Sequence, residues 1–266
     1  MWICPLCREG LILGESGRSW GCENNHHFDR AREGYVNLLP ANQKSSSDPG
    51  DNAEMIAARR RIHTAEIYRP LADAIQALAK EVGTLKRILD LGCGEGYYSD
   101  ALQQINPEAQ VCAVDISKPA IRLAAKNYRA VNFAVASTFA LPVPSCSQDL
   151  LLRVFAPSDD GEIQRVLREK GAYLEVTPAA GHLWALREAL YDMPKAHADA
   201  RSEIQGMELC RSSTVEFDVE LGQPLLRDLV AMTPFTHRGH REKRERLLQR
   251  DTLTVQMAFS LNLFQK

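Results

Sequence analysis

Two groups of residues in this chain have the types and spacing of chemistry. The first is N-terminal: "CPLC" at 4–7 and "CENNH" at 22–26 set Cys4, Cys7, Cys22 and His26 in a C-x2-C-x14-C-x3-H pattern. Three thiolates and one imidazole suit tetrahedral zinc, and the short pairs match structural zinc ribbons. Four protein ligands leave no open position on the metal, so one structural Zn2+ per chain is expected. Residues 1–36 are too few to bury a core alone, and bound metal supplies the missing folding energy. Losing a ligand such as Cys7 is then expected to loosen residues 1–36 and leave the rest folded. His27 stands beside His26 and offers the same donor after a one-residue shift, so spacing leaves that choice open. Cys93, Cys112, Cys146 and Cys210 lie apart in sequence and read as packing or loop residues.

The second group is "LDLGCGEGYY" at 89–98, an apolar strand entering Gly92, Gly94 and Gly96 with Asp90 inside the strand. A dinucleotide loop is G-x-G-x-x-G, whereas this one is G-x-G-x-G; no Lys-Ser or Lys-Thr follows it, which excludes a P-loop. A carboxylate beside the turn repels a pyrophosphate but suits a ligand with an ammonium group. S-adenosylmethionine carries that ammonium and a sulfonium charge, and no phosphate. Asp115, nineteen residues after Gly96 and ending the next strand, is placed to accept hydrogen bonds from both ribose hydroxyls. Dinucleotide enzymes use such an acid too, so Asp115 alone does not discriminate. The plainer reading, glycines that only make a tight turn, leaves both acids without a role.

The elements that must position these groups are legible around them. Leu71, Ile75, Leu78 and Val82 recur at helical spacing before "RILDLG". Then come a helix through Tyr97–Ile105, the strand "QVCAVDI", a helix over Lys118–Asn127, and the strands "VNFAVA" and "DLLLRVF". A helix over Glu162–Arg168 and the strand "AYLEVT" follow. Strands joined by helical crossovers imply an α/β fold with a parallel, doubly wound sheet. From Leu253 to Leu263 apolar and polar residues alternate, which marks a strand more usual in antiparallel pairing. A parallel sheet ending in a reversed strand is the architecture of Rossmann-like methyltransferases. "ANQKSSSDPGDN" at 41–52 reads as a linker or mobile loop.

Composition narrows the setting. The chain has 266 residues, a formal net charge of −2 and seven unevenly placed cysteines, so neither a basic average nor a secreted disulfide framework is present. "MWICPLC" is not a secretory signal, and no apolar run approaches the roughly 20 residues that span a bilayer. A cytoplasmic protein without a membrane partner is expected. Local basic runs do exist, at Arg59–Arg61 and in "HRGHREKRERLLQR" from 237, and both are candidates for tracking phosphates.

With both sites read, the chain resembles the RlmA family of bacterial 23S rRNA guanine-N1 methyltransferases. The likeness runs over nearly the whole length, through "CPLC", "HHFDRAREGYVNLLP", "DPGDNAEMIAARR", "YRPL", "LDLGCGEGYY", "VDISKPAI", "APS", "TPAAGHL" and "MTPF". It implies a class I methyltransferase with a mostly parallel seven-stranded sheet and a reversed last strand, plus a small N-terminal zinc-ribbon-like domain. It implies an enzyme that methylates N1 of a guanine in a 23S rRNA hairpin, with a tendency to dimerise. The corresponding spans are 1–36 for zinc binding and RNA recognition, 37–70 for a linker and helical segment, and 71–266 for methyl transfer. Cofactor contacts are implied at Tyr68, Gly94, Glu95 and His182; by residue type alone Tyr68 reads as core and His182 as a helix N-terminal residue. The chain departs from the family pattern in "REKGAYL", which lacks a second glycine, and in the extra histidine of "GCENNHHFD".

Guanine N1 lies on the Watson–Crick edge, so the nucleotide has to be unpaired or flipped into a pocket at the carboxyl ends of the strands. "RVFAPS" follows the fourth parallel strand there. Phe155 is the candidate to stack on the base, against an equal case for core packing, and Arg153 the candidate for its O6 or a phosphate. No general base is identifiable. Two other classes stay open: a small-molecule methyltransferase, with no evident need of a zinc ribbon, and a non-catalytic zinc RNA-binding module, which leaves the cofactor loop unexplained.

Overall fold

The computed structural model describes residues 2–41, 50–233 and 241–266. Most of the polar 41–52 segment, Pro234 and Phe235 of "MTPF", and the first four residues of the 237–250 basic run lie outside the described residues.

The N-terminal segment folds as a small antiparallel sheet of β1 (Ile12–Leu13), β2 (Ser19–Gly21) and β3 (His27–Asp29), in that order. The strands are short because turns interrupt them at each end of the Cys and His pairs. Next comes β4 (Val36–Asn37), which leaves the ribbon and joins the main sheet, pairing parallel with β7 (Asn132–Val135).

That main sheet also holds β5 (Arg87–Leu91), β6 (Gln110–Asp115), β8 (Gln148–Val154), β9 (Leu167–Pro178), β10 (Glu208–Gly222) and β11 (Thr252–Gln265). Its order is β10-β11-β9-β8-β5-β6-β7-β4. Neighbours from β9 to β4 run parallel, and β11 is antiparallel to both β9 and β10. The reversed last strand is therefore present. The expected count of seven is corrected to eight, because β4 adds an edge strand beside β7. A central strand buried on both faces has to be apolar throughout, and "ILDL" in β5 is fully buried, Asp90 included.

The two faces are covered differently. One is packed by α1 (Ala53–Thr64), α2 (Arg69–Glu81), α3 (Tyr97–Ile105), α4 (Lys118–Asn127), α6 (Trp184–Leu190), α7 (Gln223–Ala231) and α8 (Arg241–Leu247). The other face presents Leu89, Leu91, Cys112, Val114, Leu151 and Tyr173. It is covered by α5 (Asp160–Val166) together with Trp2, Cys4, Leu11 and Cys22 of the zinc segment. Trp2 is 2% exposed, and the Ile3 N–H donates to the Pro142 carbonyl at 2.9 Å. The zinc segment thus stands where a second layer of helices is expected in a doubly wound sheet.

Helices α3 and α4 span the residues that their periodicity predicts. Ser117 caps α4 by accepting from the Ala120 N–H, and Pro119 stands in its first turn. Helix α5 begins earlier than expected, since Asp159 caps it by accepting from the Glu162 N–H at 2.9 Å, and it ends before Leu167, where β9 starts.

Candidate active site

The four N-terminal ligands converge. Donor atoms of Cys4, Cys7, Cys22 and His26 all lie within 4.8 Å of one another. Cys4 Sγ and Cys22 Sγ are each 3.5 Å from His26 Nδ1, and Cys7 Sγ is 3.7 Å from Cys22 Sγ. A tetrahedron with Zn–S of about 2.3 Å and Zn–N of about 2.0 Å has donor separations of roughly 3.5–3.8 Å. The donor set therefore fits zinc. His27 lies in β3 with its ring turned against Gly21, so His26 is the imidazole that faces the thiols.

Between β5 and α3 the glycine loop turns through left-handed backbone at Gly92 (φ +70°), Gly94 (φ +56°) and Gly96 (φ +89°), a course that strains any side chain. The Gly92 and Cys93 N–H groups donate to the Val114 carbonyl, which seats the loop on β6. Asp115 ends β6 and accepts from the Gly94 N–H at 2.8 Å and the Ser117 N–H at 2.7 Å. Each carboxylate oxygen keeps a further lone pair for a ligand hydroxyl. Asp90 is 2% exposed and accepts from the Ser99 hydroxyl at 2.6 Å. Burial drives its pKa up to about 7, against the pull of Ser99 and with a further push from Asp115.

A clamp from α1 lies over this loop. Glu95 is 1% exposed, but its carboxylate faces away from any open space: it accepts from Arg60 at 2.8 Å and pairs with His63 Nδ1 at 2.7 Å. The Glu95 side chain thus ties the glycine loop to α1, and its backbone stays in the loop. The His63 ring stacks on Tyr97 at 4.2 Å. Arg59 pairs with Asp51 at 2.5 Å, and its guanidinium lies 3.3 Å from where a Gly94 side chain would start. Ser117 donates to the Asp51 carbonyl at 2.9 Å, which brings the end of "DPGD" to the carboxyl end of β6. Asp51 and Arg59 lie in "DPGDNAEMIAARR", but nothing in that motif pairs them beside the glycine loop. Their one signal is Asn52, which caps α1 and so puts Asp51 just before the helix and Arg59 two turns along it.

The remaining candidates meet around Phe259 of β11. Tyr68, Phe155 and His182 have ring centroids 5.6, 5.8 and 4.8 Å from it. Tyr68 and His182 are buried, whereas Phe155 is 44% exposed. Phe155 also holds φ +56°, uncommon for an aromatic residue and a cost the fold bears to present that ring. A side chain on Gly92 would meet the Ala156 methyl at 2.3 Å, so the cofactor loop and the turn after β8 are in direct contact. His182 Nδ1 accepts from the Ala258 N–H at 3.3 Å, and burial with His197 and Arg187 nearby lowers its pKa to about 3. With its Nδ1 lone pair engaged by the Ala258 N–H, the neutral ring offers Nε2 as a donor.

Arg153 is held by partners within the fold. Its guanidinium pairs with Glu175 and donates to the Ser158 hydroxyl at 2.9 Å. The Arg59–Arg61 run is likewise consumed by Asp51, Glu95 and Asp228. In α8, Arg241 pairs with Glu245, Lys243 with Asp192 and Arg246 with Glu242.

Comparison with known proteins identifies two regions of the chain. A family profile described as "RlmA, N-terminal" matches residues 2–47, and one described as "Methyltransferase domain" matches residues 88–175. A "Putative 23S rRNA (guanine-N(1)-)-methyltransferase" of Micromonospora griseorubida is 35% identical over 87% of this chain and 85% of its own length. The chain belongs to the RlmA family. A "23S rRNA (guanine(748)-N(1))-methyltransferase" of Streptomyces fradiae is 37% identical over 70% of this chain and 66% of its own. A "Putative 23S rRNA (guanine-N(1)-)-methyltransferase YxjB" of Bacillus subtilis is 35% identical over 73% of this chain and 71% of its own. This RlmA-family chain is thus a methyltransferase that uses S-adenosylmethionine and carries a structural zinc ribbon. No helix among its described residues is long and apolar enough to cross a membrane.

Asp90 gives this site a pH signature. Its pKa is raised on folding, so the folded protein holds the proton more tightly than the unfolded chain. Its contribution to stability is greatest in acid and falls as pH rises from about 4 towards 7. An ammonium bound beside it would reverse that preference. Cofactor affinity is expected to rise as pH goes from about 6 to 8, with up to one proton released on binding, read by calorimetry in two buffers. Asp90→Asn removes the release; a variant that still releases the proton would put the ammonium elsewhere.

Proposed function

We propose that this chain methylates N1 of a guanine in a hairpin of 23S ribosomal RNA. One observation carries the reading: the RlmA ribbon and a methyltransferase domain stand on one chain, and relatives named for that reaction are 35–37% identical to it. A small-molecule methyltransferase would not account for the ribbon. In this reading residues 1–36 recognise RNA, residues 71–266 carry out the transfer, and the 37–70 segment joins them. The enzyme works in the cytoplasm as a homodimer.

S-adenosylmethionine supplies an activated methyl group, so the protein's task is in-line positioning and exclusion of water. Asp90 faces the ammonium, the backbone of Gly92, Gly94 and Gly96 gives close approach, and Asp115 accepts from the ribose. Tyr68 and His182 close the pocket on the Phe259 side. Phe155, exposed at the carboxyl end of β8, stacks on the flipped guanine and holds N1 towards the methyl group. With His182 neutral and its Nδ1 occupied, the N1 proton passes to water.

The test is methyl transfer to a synthetic 23S rRNA hairpin, with the product mapped by reverse transcription, which N1 methylation blocks. Phe155→Ala is expected to lower kcat/KM by about tenfold to a hundredfold, the worth of one base stack, and Phe155→Trp to restore most of it. Methylation of another atom, or of small molecules alone, overturns the reading.

A further inference from the structure

With the Arg59–Arg61 run consumed, the molecule still holds a concentrated positive surface elsewhere. A groove of about 650 Å³ runs along the seam between the zinc segment and α4. It is lined by Arg32 and Glu33 from the ribbon's tail, by Lys118, Arg122 and Lys126 of α4, and by Arg129 just beyond the helix. Five cations face one acid in a chain whose formal net charge is −2. The acid is already taken: Arg122 pairs with the Glu33 carboxylate at 2.7 Å, and Arg129 donates to the Glu33 carbonyl at 2.9 Å. Arg32, Lys118 and Lys126 have no ion pair among the described residues.

The spacing is directional. Lys118, Arg122 and Lys126 stand at i, i+4 and i+8, one stripe on the helix about 12 Å long. The stripe starts next to Ser117, which caps α4 and hydrogen-bonds Asp115, and so adjoins the cofactor loop. Its other wall is the zinc segment. A solvated helix face would carry mixed charges; a one-sign stripe in a groove, anchored at the reaction centre and walled by a recognition module, matches a polyanion of fixed spacing.

We infer that this groove holds the sugar–phosphate backbone of the substrate RNA, with Arg32, Lys118 and Lys126 as the phosphate contacts that set the hairpin's register. The inference rests on the proposed RNA reaction. Arg122 and Arg129 brace Glu33 and serve the docking of the ribbon, so the test leaves them in place.

The experiment compares wild type with the triple variant R32Q/K118Q/K126Q in the full chain. Binding to the 23S rRNA hairpin is read by fluorescence anisotropy across a salt series, with methyl transfer and cofactor affinity alongside. The variant is expected to raise KM for the hairpin about tenfold or more and to reduce the log–log salt slope by about 2, near 0.7–0.9 for each phosphate no longer neutralised. Cofactor affinity and kcat at saturating RNA stay within about twofold of wild type, and K118R/K126R keeps the wild-type slope, since arginine neutralises phosphate equally. An unchanged KM and slope in an active triple variant overturn the groove as an RNA track and leave it to an acidic protein partner. A wild type that binds the hairpin but does not methylate it defeats the proposed reaction instead, while the slopes of the pair still decide the groove.

Discussion

Cys4→Ser is expected to unsettle the whole chain and not the ribbon alone. The thiol is fully buried in the cluster that joins Trp2, Leu11 and Cys22 to Leu89, Leu91, Cys112 and Val114 of the central strands. Read from sequence, the zinc segment is an appendage whose loss leaves the remainder folded; its packing as one layer of the core gives the opposite expectation. Zinc binding in small modules is worth about 10–16 kcal/mol of apparent folding energy, which no alternative packing of so few residues replaces. Once the ribbon opens, Trp2 leaves its site, and a Trp lost from a core costs about 3–5 kcal/mol. At about 2–4 °C per kcal/mol for a domain of this size, the single melting transition should fall on the order of 10 °C, with zinc content well below one per chain. A metal-free variant that melts like wild type would show that the ribbon and the sheet are energetically separate.

Glu175→Ala is the second large effect. This carboxylate is 1% exposed and is shared by Arg153, by Arg201 Nε at 2.8 Å and by the Tyr173 hydroxyl at 3.1 Å. Arg201 also binds Asp160 of α5 at 2.8 Å, and its carbonyl accepts from Asn262 at 2.8 Å. One acid therefore ties β8, β9, α5 and the 191–207 segment together. Its removal leaves two guanidinium groups against one partly exposed aspartate, and breaking a buried pair from one side costs about 3–5 kcal/mol. Denaturant unfolding reads the loss. Glu175→Gln keeps the hydrogen-bond acceptor and should lose visibly less. Equal stability of wild type and Glu175→Ala would mean that Arg153 and Arg201 find other partners. Because Arg153 also holds Ser158, the alanine variant should loosen the turn that presents Phe155, raising KM for RNA while cofactor affinity changes little.

What could be read in advance follows the range of the interaction. Local periodicity sufficed for α3 and α4, whose capping and apolar spacing are written within a dozen residues. It sufficed again for β11, where alternation from Leu253 to Leu263 marks a strand paired on both sides. The same alternation is present in Val215, Phe217, Val219 and Leu221 of β10. The four zinc ligands were legible because metal geometry constrains their spacing. Side-chain destinations were not. Nothing near Arg61 announces Asp228, and nothing near Arg60 announces Glu95, so the ion pairs that these two arginines make could not be read from the run itself. Phe155 was ambiguous for the same reason: its exposure depends on a left-handed turn that residue type disfavours.

The edge strand β4 has a consequence for the order of events during synthesis. Val36 pairs with Ala134, close to a hundred residues further along the chain, and the cluster around Trp2 includes Phe264. The ribbon can take its metal as soon as His26 has been made, but the surface it docks on is finished only with the last strand. At about 5–20 residues per second, a metal-loaded ribbon waits on the order of ten seconds or more before it can dock. Contacts of such separation form late and slow the search, so the ribbon, made before the sheet it docks on, reaches its place only after that sheet is complete.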